Sequence, residues 1–344
     1  MGISPIDRAA LRHHGDVDVA PDVADFAVNV QGAGPPGWLR DRLAAALDSL
    51  GRYPATAHDA AARAAVARRH GRDPDDVLLL SGGAEGFSLL PNLRPTLAAV
   101  VHPSFTEPEF ALREAGVPTV RVVLDAPWSL AAADVPEQAD LVVLGNPTNP
   151  TSVLHHVRDI DALRRPGRLV VVDEAFMDAV PGEPESFAHA PAPDVLVLRS
   201  LTKTWALAGL RCGYALGDSA VLARLSHGRP HWPLGTLQLE AIAACSEPDA
   251  VARARRQADT LAASRVSMTA RLRGLGLTVH EPAAAPFVLV HVPGGDRVRG
   301  ALAGRDVVVR RCDTFPGLGP DFLRMAVRPA RDVDTLIEAL AHVL

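Results

Sequence analysis

Residues 77–200 carry short, continuous apolar runs at 77–80, 97–101, 141–144, 169–172 and 195–198, and a further strand-length stretch at 119–123, with amphipathic stretches between them. A strand that is apolar at every position is buried on both faces. These runs therefore predict a mostly parallel sheet covered by helices, not an antiparallel sheet with one wet face. The spacing of Leu39, Leu43, Leu47 and Leu50, closed by Gly51, predicts a helix over 38–50, and the Ala-rich stretch 57–70, stopped by Gly71, predicts another. Shorter helices are expected at 110–115 and 160–165. Val28 and Val30 are expected to anchor a short strand ahead of these elements.

From Ser226 the pattern changes. A helix over 236–245 and a long Arg-rich helix over 248–275 lead into strands at 287–290, 307–310 and 322–327, with helices at 298–302 and 333–344. The expected fold is α/β: a large domain with a mostly parallel central sheet covered by helices, plus a smaller α+β C-terminal domain and an N-terminal arm. The expected division is 1–36 for an arm packing with the small domain, 37–228 for the large domain, and 229–344 for the bridging helix and small domain.

Of 344 residues, 48% are hydrophobic, enough for a substantial core. The net charge of -5 leaves no basic footprint for nucleic acid. The arginines at 63, 68 and 69 and at 253, 255 and 256 are expected on solvated helix faces. Cys212, Cys245 and Cys312 lie far apart, which argues against a disulfide framework or a metal site and for a reduced, cytoplasmic setting. No signal-peptide pattern opens the chain and no stretch reaches membrane-spanning length.

Polar residues collect where the apolar runs end: Ser81-Gly82-Gly83-Ala84, Phe105, Asn149, Asp173 and Lys203. In open α/β sheets ligands bind beyond the carboxyl ends of the strands. Lys203, beside hydroxyls and ahead of Arg211 in an otherwise apolar stretch, suits a Schiff-base amine. Ser200, Thr202, the Gly209 turn and the Arg211 fork suit a phosphate, as does the strand, glycine turn and helix start at 81–84. Asp173 reads either as a helix N-cap or as a functional carboxylate.

The string Ser200-Leu201-Thr202-Lys203, with Ala208-Gly209-Leu210-Arg211-Cys212-Gly213-Tyr214 after it, resembles the lysine motif of the aspartate-aminotransferase superfamily, the fold type I enzymes of pyridoxal phosphate (PLP). It is most similar to the branch holding L-threonine-O-3-phosphate decarboxylase and histidinol-phosphate aminotransferase, and the resemblance runs from about His13 to the C-terminus. The resemblance implies that Lys203 binds PLP covalently, Asp173 faces the ring nitrogen, Phe105 stacks on the ring and Asn149 contacts the ring oxygen. It assigns the cofactor phosphate to the amides of Gly83 and Ala84, to Ser200 and to Arg211. Tyr53 would reach the cofactor of a neighbouring subunit, which implies a homodimer. Arg324 would clamp a substrate carboxylate and Arg310 a substrate phosphate, with Asn149 beside them and His14 and Asn29 covering the substrate. Three departures stand out: Ser152 where the family has Gly, Phe176 where aminotransferases have Tyr, and an arm without the family's Gly-Gly-Asn.

The string Asp173-Glu174-Ala175-Phe176-Met177-Asp178 resembles the decarboxylase branch. The first expectation is therefore a PLP-dependent lyase that decarboxylates L-threonine O-3-phosphate in cobalamin biosynthesis. The alternative is a histidinol-phosphate type of aminotransferase with 2-oxoglutarate as acceptor. A non-catalytic, effector-sensing regulator is not expected, because the stretch before Trp38 is short and not basic.

Overall fold

The structure is a computed structural model and describes Leu11 and residues 23–344. Strand β1 (Ala24–Phe26) comes first, followed by helices α1 (Gly37–Ala46) and α2 (Thr56–His70). Gly71, at φ 65°, closes α2 in the left-handed conformation that glycine adopts at little cost. The large sheet is then laid down as β2 (Val77–Leu80), β3 (Ala98–His102), β4 (Thr119–Val123), β5 (Leu141–Gly145), β6 (Leu169–Asp173), β7 (Val195–Ser200) and β8 (Gly213–Leu216). Helices α3 (Gly83–Leu89), α4 (Glu107–Glu114) and α5 (Val157–Asp161) lie between these strands. The sheet order is β2-β8-β7-β6-β5-β3-β4. All neighbours from β7 to β4 run parallel, whereas β8 is antiparallel to both β2 and β7.

Successive side chains on a strand point to opposite faces, and both faces are dry here. Val170, Val172, Val195 and Val197 pack with Leu39, Val66 and Ile242. Their neighbours Val171, Leu196 and Leu198 pack on the other side with Phe87, Leu112 and Leu222. Each such Val or Leu contributes about 1.5–3 kcal/mol on burial, which is why these strands read as unbroken apolar runs.

After α6 (Ser219–Leu225), helix α7 (Thr236–Cys245) joins the core of the large sheet. The long α8 (Pro248–Gly274) leads to β9 (Thr278–Val279), β10 (Phe287–His291), α9 (Gly295–Ala303), β11 (Val307–Arg311), β12 (Phe322–Ala326) and α10 (Ala330–Val343). These strands and β1 form a second sheet, ordered β1-β11-β12-β10-β9. Two short strands escaped the apolar pattern: β8, where Gly213 interrupts the run, and β9, which spans two residues.

Three local expectations are corrected. The first strand lies at 24–26 and not around Val28 and Val30. Asp25 Oδ1 accepts the amides of Ala27 (2.7 Å) and Val28 (3.0 Å) and ends the strand there. The helix expected at 160–165 is only Val157–Asp161, with turns beyond it. Arg69 is not solvated. Its side chain is 3% exposed, with Nη2 donating to Asp178 Oδ1 at 2.7 Å.

That pair belongs to a buried ionic cluster at the ends of β6 and β7. Arg199 is 1% exposed and meets three carboxylates: Glu174 at 2.9 Å from its Nε, Asp178 at 2.5 Å from Nη1, and Glu183. The Glu174 contact is an ion pair without hydrogen-bond alignment, and Glu174 instead accepts from Ser186 Oγ (2.7 Å) and the Phe187 amide (2.8 Å). Removing one partner of such a pair strands the others without solvation, at about 3–5 kcal/mol. Arg199→Met is therefore expected to lower the thermal unfolding midpoint by many degrees. A midpoint equal to the wild type's would contradict the account.

Candidate active site

The carboxyl ends of the parallel strands open on a cavity of about 480 Å³. Asp173 ends β6 opposite Gly145 of β5 and Leu198 of β7, so the register itself sets the acid level with the Ser200–Lys203 turn. From the large sheet come Gly83, Ala84, Phe105, Asn149, Asp173, Ser200, Lys203 and Arg211. From the second sheet come Arg310 and Arg324, and from the stretch after β1 comes Asn29. Of the residues given a role by the family resemblance, all but Tyr53 and His14 line this one cavity, while Ser81, Gly82 and Gly209 of the candidate phosphate turns do not. Tyr53 is 75% exposed and stacks on Trp232, with ring centroids 4.2 Å apart. His14 lies outside the described residues.

Asp173 is enclosed by protein but keeps part of its surface open to the cavity. Burial, with Glu174 adding to it, pushes its pKa from 3.8 up to about 7, against the amide of Ala175 and the charge of Lys203. The Ala175 amide donates to its Oδ1 at 3.1 Å, so one oxygen caps the following turn while the acid faces the cavity. A fixed cation against the carboxyl would favour its ionised form.

Arg310 and Arg324 are paired residues of antiparallel β11 and β12, and both are buried. Like charges directly opposite on neighbouring strands repel, so the pair is set to receive an anion. Arg310 donates to Arg311 O (2.6 Å) and Thr314 Oγ1 (2.8 Å) and lies over the Phe315 ring. Arg324 Nη1 donates to Asn149 Oδ1 at 2.5 Å, its Nη2 donates to Ala27 O, and its Nε is buried without a hydrogen-bond partner among the described residues. Burial draws the pKa of Arg324 down to about 9, so it stays charged at neutral pH.

PLP requires an amine, an acid for the ring nitrogen and a cradle for its phosphate, and the residues present fit these demands. Lys203 is the one lysine among 35 lysine and arginine residues, a signal in the composition that the motif reading passed over. Gly82 sits at φ 78°, and a Cβ there would come within 3.0 Å of Arg211 Nη2. Glycine thus leaves room for the guanidinium over the turn that opens α3. A Cβ on Gly213 would lie 2.7 Å from Arg199 O and 3.0 Å from Gly83 N, so bare backbone at 213 lets the glycine turn settle against β7.

The departures from the family pattern have local reasons. Ser152 keeps a left-handed φ of 65°, and its Oγ accepts the Ala285 amide at 2.9 Å. Phe176 packs edge-on against Phe287, with centroids 5.0 Å apart. Lining residues that the sequence did not single out include Thr106 and Glu107, which stand in no apolar run or motif that would have marked them. Phe315, which also lines the cavity, falls in the 310–318 stretch but is given no role of its own by the resemblance. Among the described residues no cluster of His, Cys, Asp and Glu could hold a metal ion, and no helix is long and apolar enough to cross a membrane.

A family profile described as aminotransferase class I and II matches residues 22–343. A histidinol-phosphate aminotransferase of Mycobacterium tuberculosis is 58% identical over 342 residues, covering 99% of this chain and 93% of that protein. A threonine-phosphate decarboxylase of Salmonella typhimurium is 29% identical over 349 residues, covering 95% and 93%. The crystal structure of the histidinol-phosphate aminotransferase from Clostridium acetobutylicum shares the fold with a TM-score of 0.84 at 22% identity, covering 93% of this chain and 98% of that one.

The Asp173 carboxyl yields a pH prediction for the cofactor-free protein. Its folded pKa, about 7, lies above the ordinary 3.8, so the stability it contributes is complete below pH 3.8 and is lost as pH rises towards 7. Asp173→Asn stays neutral throughout. Its thermal midpoint is expected to gain on the wild type's across that window and to hold a constant lead above it. A lead that does not change with pH would contradict a dry setting for Asp173.

Proposed function

The chain belongs to the class I and II aminotransferase family and is a PLP-dependent enzyme, and on that premise we propose that it moves the amino group of a phosphorylated amine of the histidinol phosphate kind to 2-oxoglutarate. The 58% identity to a histidinol-phosphate aminotransferase along nearly the whole chain carries this reading, against 29% for the decarboxylase. It reverses the order of expectation drawn from the sequence. The decarboxylase reading leaned on Phe176, and a phenylalanine packed on Phe287 has a sufficient explanation in that contact.

PLP, when bound, supplies the electron sink for breaking a bond at the substrate's Cα. The chain's own residues do the rest. Asp173 would hold positive charge at the ring nitrogen, because a fixed carboxylate favours the protonated ring. Phe105 would pack against the ring. Ser200, Arg211 and the amides of Gly83 and Ala84 would hold the cofactor phosphate. Lys203, through Nζ, would take the proton from the substrate's Cα and hold it for return.

The two substrates of such a reaction share a chemistry: the amine carries a phosphate and the acceptor two carboxylates. Two buried guanidinium groups facing one cavity suit both. Arg324, with Asn149, takes the acceptor's α-carboxylate through a bidentate fork, and Arg310 takes the phosphate or the distal carboxylate. The wall at 27–30 and Phe315 keep water from the reacting atoms. In a homodimer, the exposed Tyr53, stacked on Trp232, would reach the cavity of the second subunit.

The test is a pair of assays on PLP-loaded protein. Histidinol phosphate with 2-oxoglutarate is expected to give one glutamate for each histidinol phosphate consumed, and carboxyl-labelled L-threonine O-3-phosphate to release no carbon dioxide. Carbon dioxide release without glutamate would restore the decarboxylase.

A further inference from the structure

The stretch after β1 has no ladder to satisfy its backbone, yet its residues Ala27, Val28, Asn29 and Val30 wall the cavity. Buried carbonyls need partners, and here two arginines supply them: Arg324 takes Ala27 O, and Arg328 takes three others. Arg328, just beyond β12 and 13% exposed, donates from Nε to Asp25 O at 2.8 Å, from Nη1 to Val30 O at 2.8 Å and from Nη2 to Val28 O at 2.5 Å. A rigid five-donor fork can span three converging carbonyls; an ammonium on a flexible stem cannot hold the same geometry.

Two of those carbonyls flank Asn29. Asn29 is 4% exposed, lines the cavity, and has an Oδ1 that is buried without a hydrogen-bond partner among the described residues. An unpaired buried acceptor is costly unless a ligand supplies its donor. One residue past Val30, the Gln31 amide donates to the carbonyl of Lys203 at 3.0 Å.

We propose that Arg328 is a positioning residue that fastens 25–30 as a preformed wall, so that Asn29 presents its Oδ1 to an N–H of the amine substrate. The same fastening holds the Gln31 amide on the Lys203 carbonyl, which ties the wall to the reactive amine. The substrate is then one with a nitrogen donor at the part of the cavity that Asn29 lines. This rests on reading the cavity as the cofactor and substrate site.

The test is a double-mutant cycle on full-length, PLP-loaded protein, with KM and kcat measured for the amine. Arg328→Gln and Asn29→Ala are each expected to raise KM by about tenfold with kcat much less affected, the size of one lost buried hydrogen bond. Because one residue acts through the other, the double variant is expected to match the worse single variant and not multiply the two effects. Multiplied effects, or an unchanged KM in Arg328→Gln, would overturn the proposal. If Arg328→Gln fails to fold or to hold the visible cofactor band, Arg328→Lys replaces it. That variant keeps the charge and loses the fork, and a wild-type KM there would overturn the proposal equally. If the wild type releases carbon dioxide and makes no glutamate, the amino-transfer reading fails alone. The cycle then runs on KM for L-threonine O-3-phosphate with the same outcomes.

Discussion

One buried guanidinium holds the working edge of the large sheet together. Arg199 precedes Ser200 on β7, Glu174 follows Asp173 on β6, and their ion pair ties the two strands where the functional residues begin. Asp178, Glu183 and Arg69 complete the cluster from the following loop and from α2. Burying such charges costs several kcal/mol per ion unless each is paired and hydrogen-bonded, and here most of the polar atoms find partners. The acid and the amine of the site are thus set by strand register in a rigid layer. Glu174 also contributes to the raised pKa of Asp173, so the cluster reaches the site electrostatically as well as through the backbone.

The second sheet works differently. It adds to the cavity not a reactive group but two buried cations at paired positions, Arg310 and Arg324. A third arginine, Arg328, organises the wall beside them. Arg324 bonds Asn149 from the loop after β5 and Ala27 from the wall, so a single guanidinium joins three parts of the chain at the cavity. An anion arriving at Arg324 would meet a group already oriented, which lowers the ordering cost of binding.

The large sheet was legible because its inner strands are dry on both faces, and the apolar runs coincide with β2 and the starts of β5, β6 and β7, whereas edge strand β4 is largely open to solvent. What escaped was short or irregular. β8 starts at a glycine required by close approach to β7, and β9 has only two residues. The strand expected near Val28 and Val30 is instead a cavity wall, because its carbonyls are claimed by Arg328 from nearly three hundred residues away in sequence. Asp25, which ends β1, gave a usable local signal; Arg328 gave none, since nothing in a sequence marks an arginine that binds backbone. Residues at strand ends fell in one cavity because parallel topology sends those ends to one side. Phe176 carries little weight as a branch marker, because a core packing choice can look like a functional substitution.

The central claim is that Lys203 carries PLP in this cavity. With one lysine in the chain, a single measurement addresses it directly. PLP-loaded protein is reduced with borohydride, digested, and its peptides weighed. The account predicts one cofactor mass per chain, on the peptide containing Lys203, and its loss together with the visible band in Lys203→Ala. A cofactor mass on the N-terminal amine alone, or a visible band that survives Lys203→Ala unchanged, would contradict it.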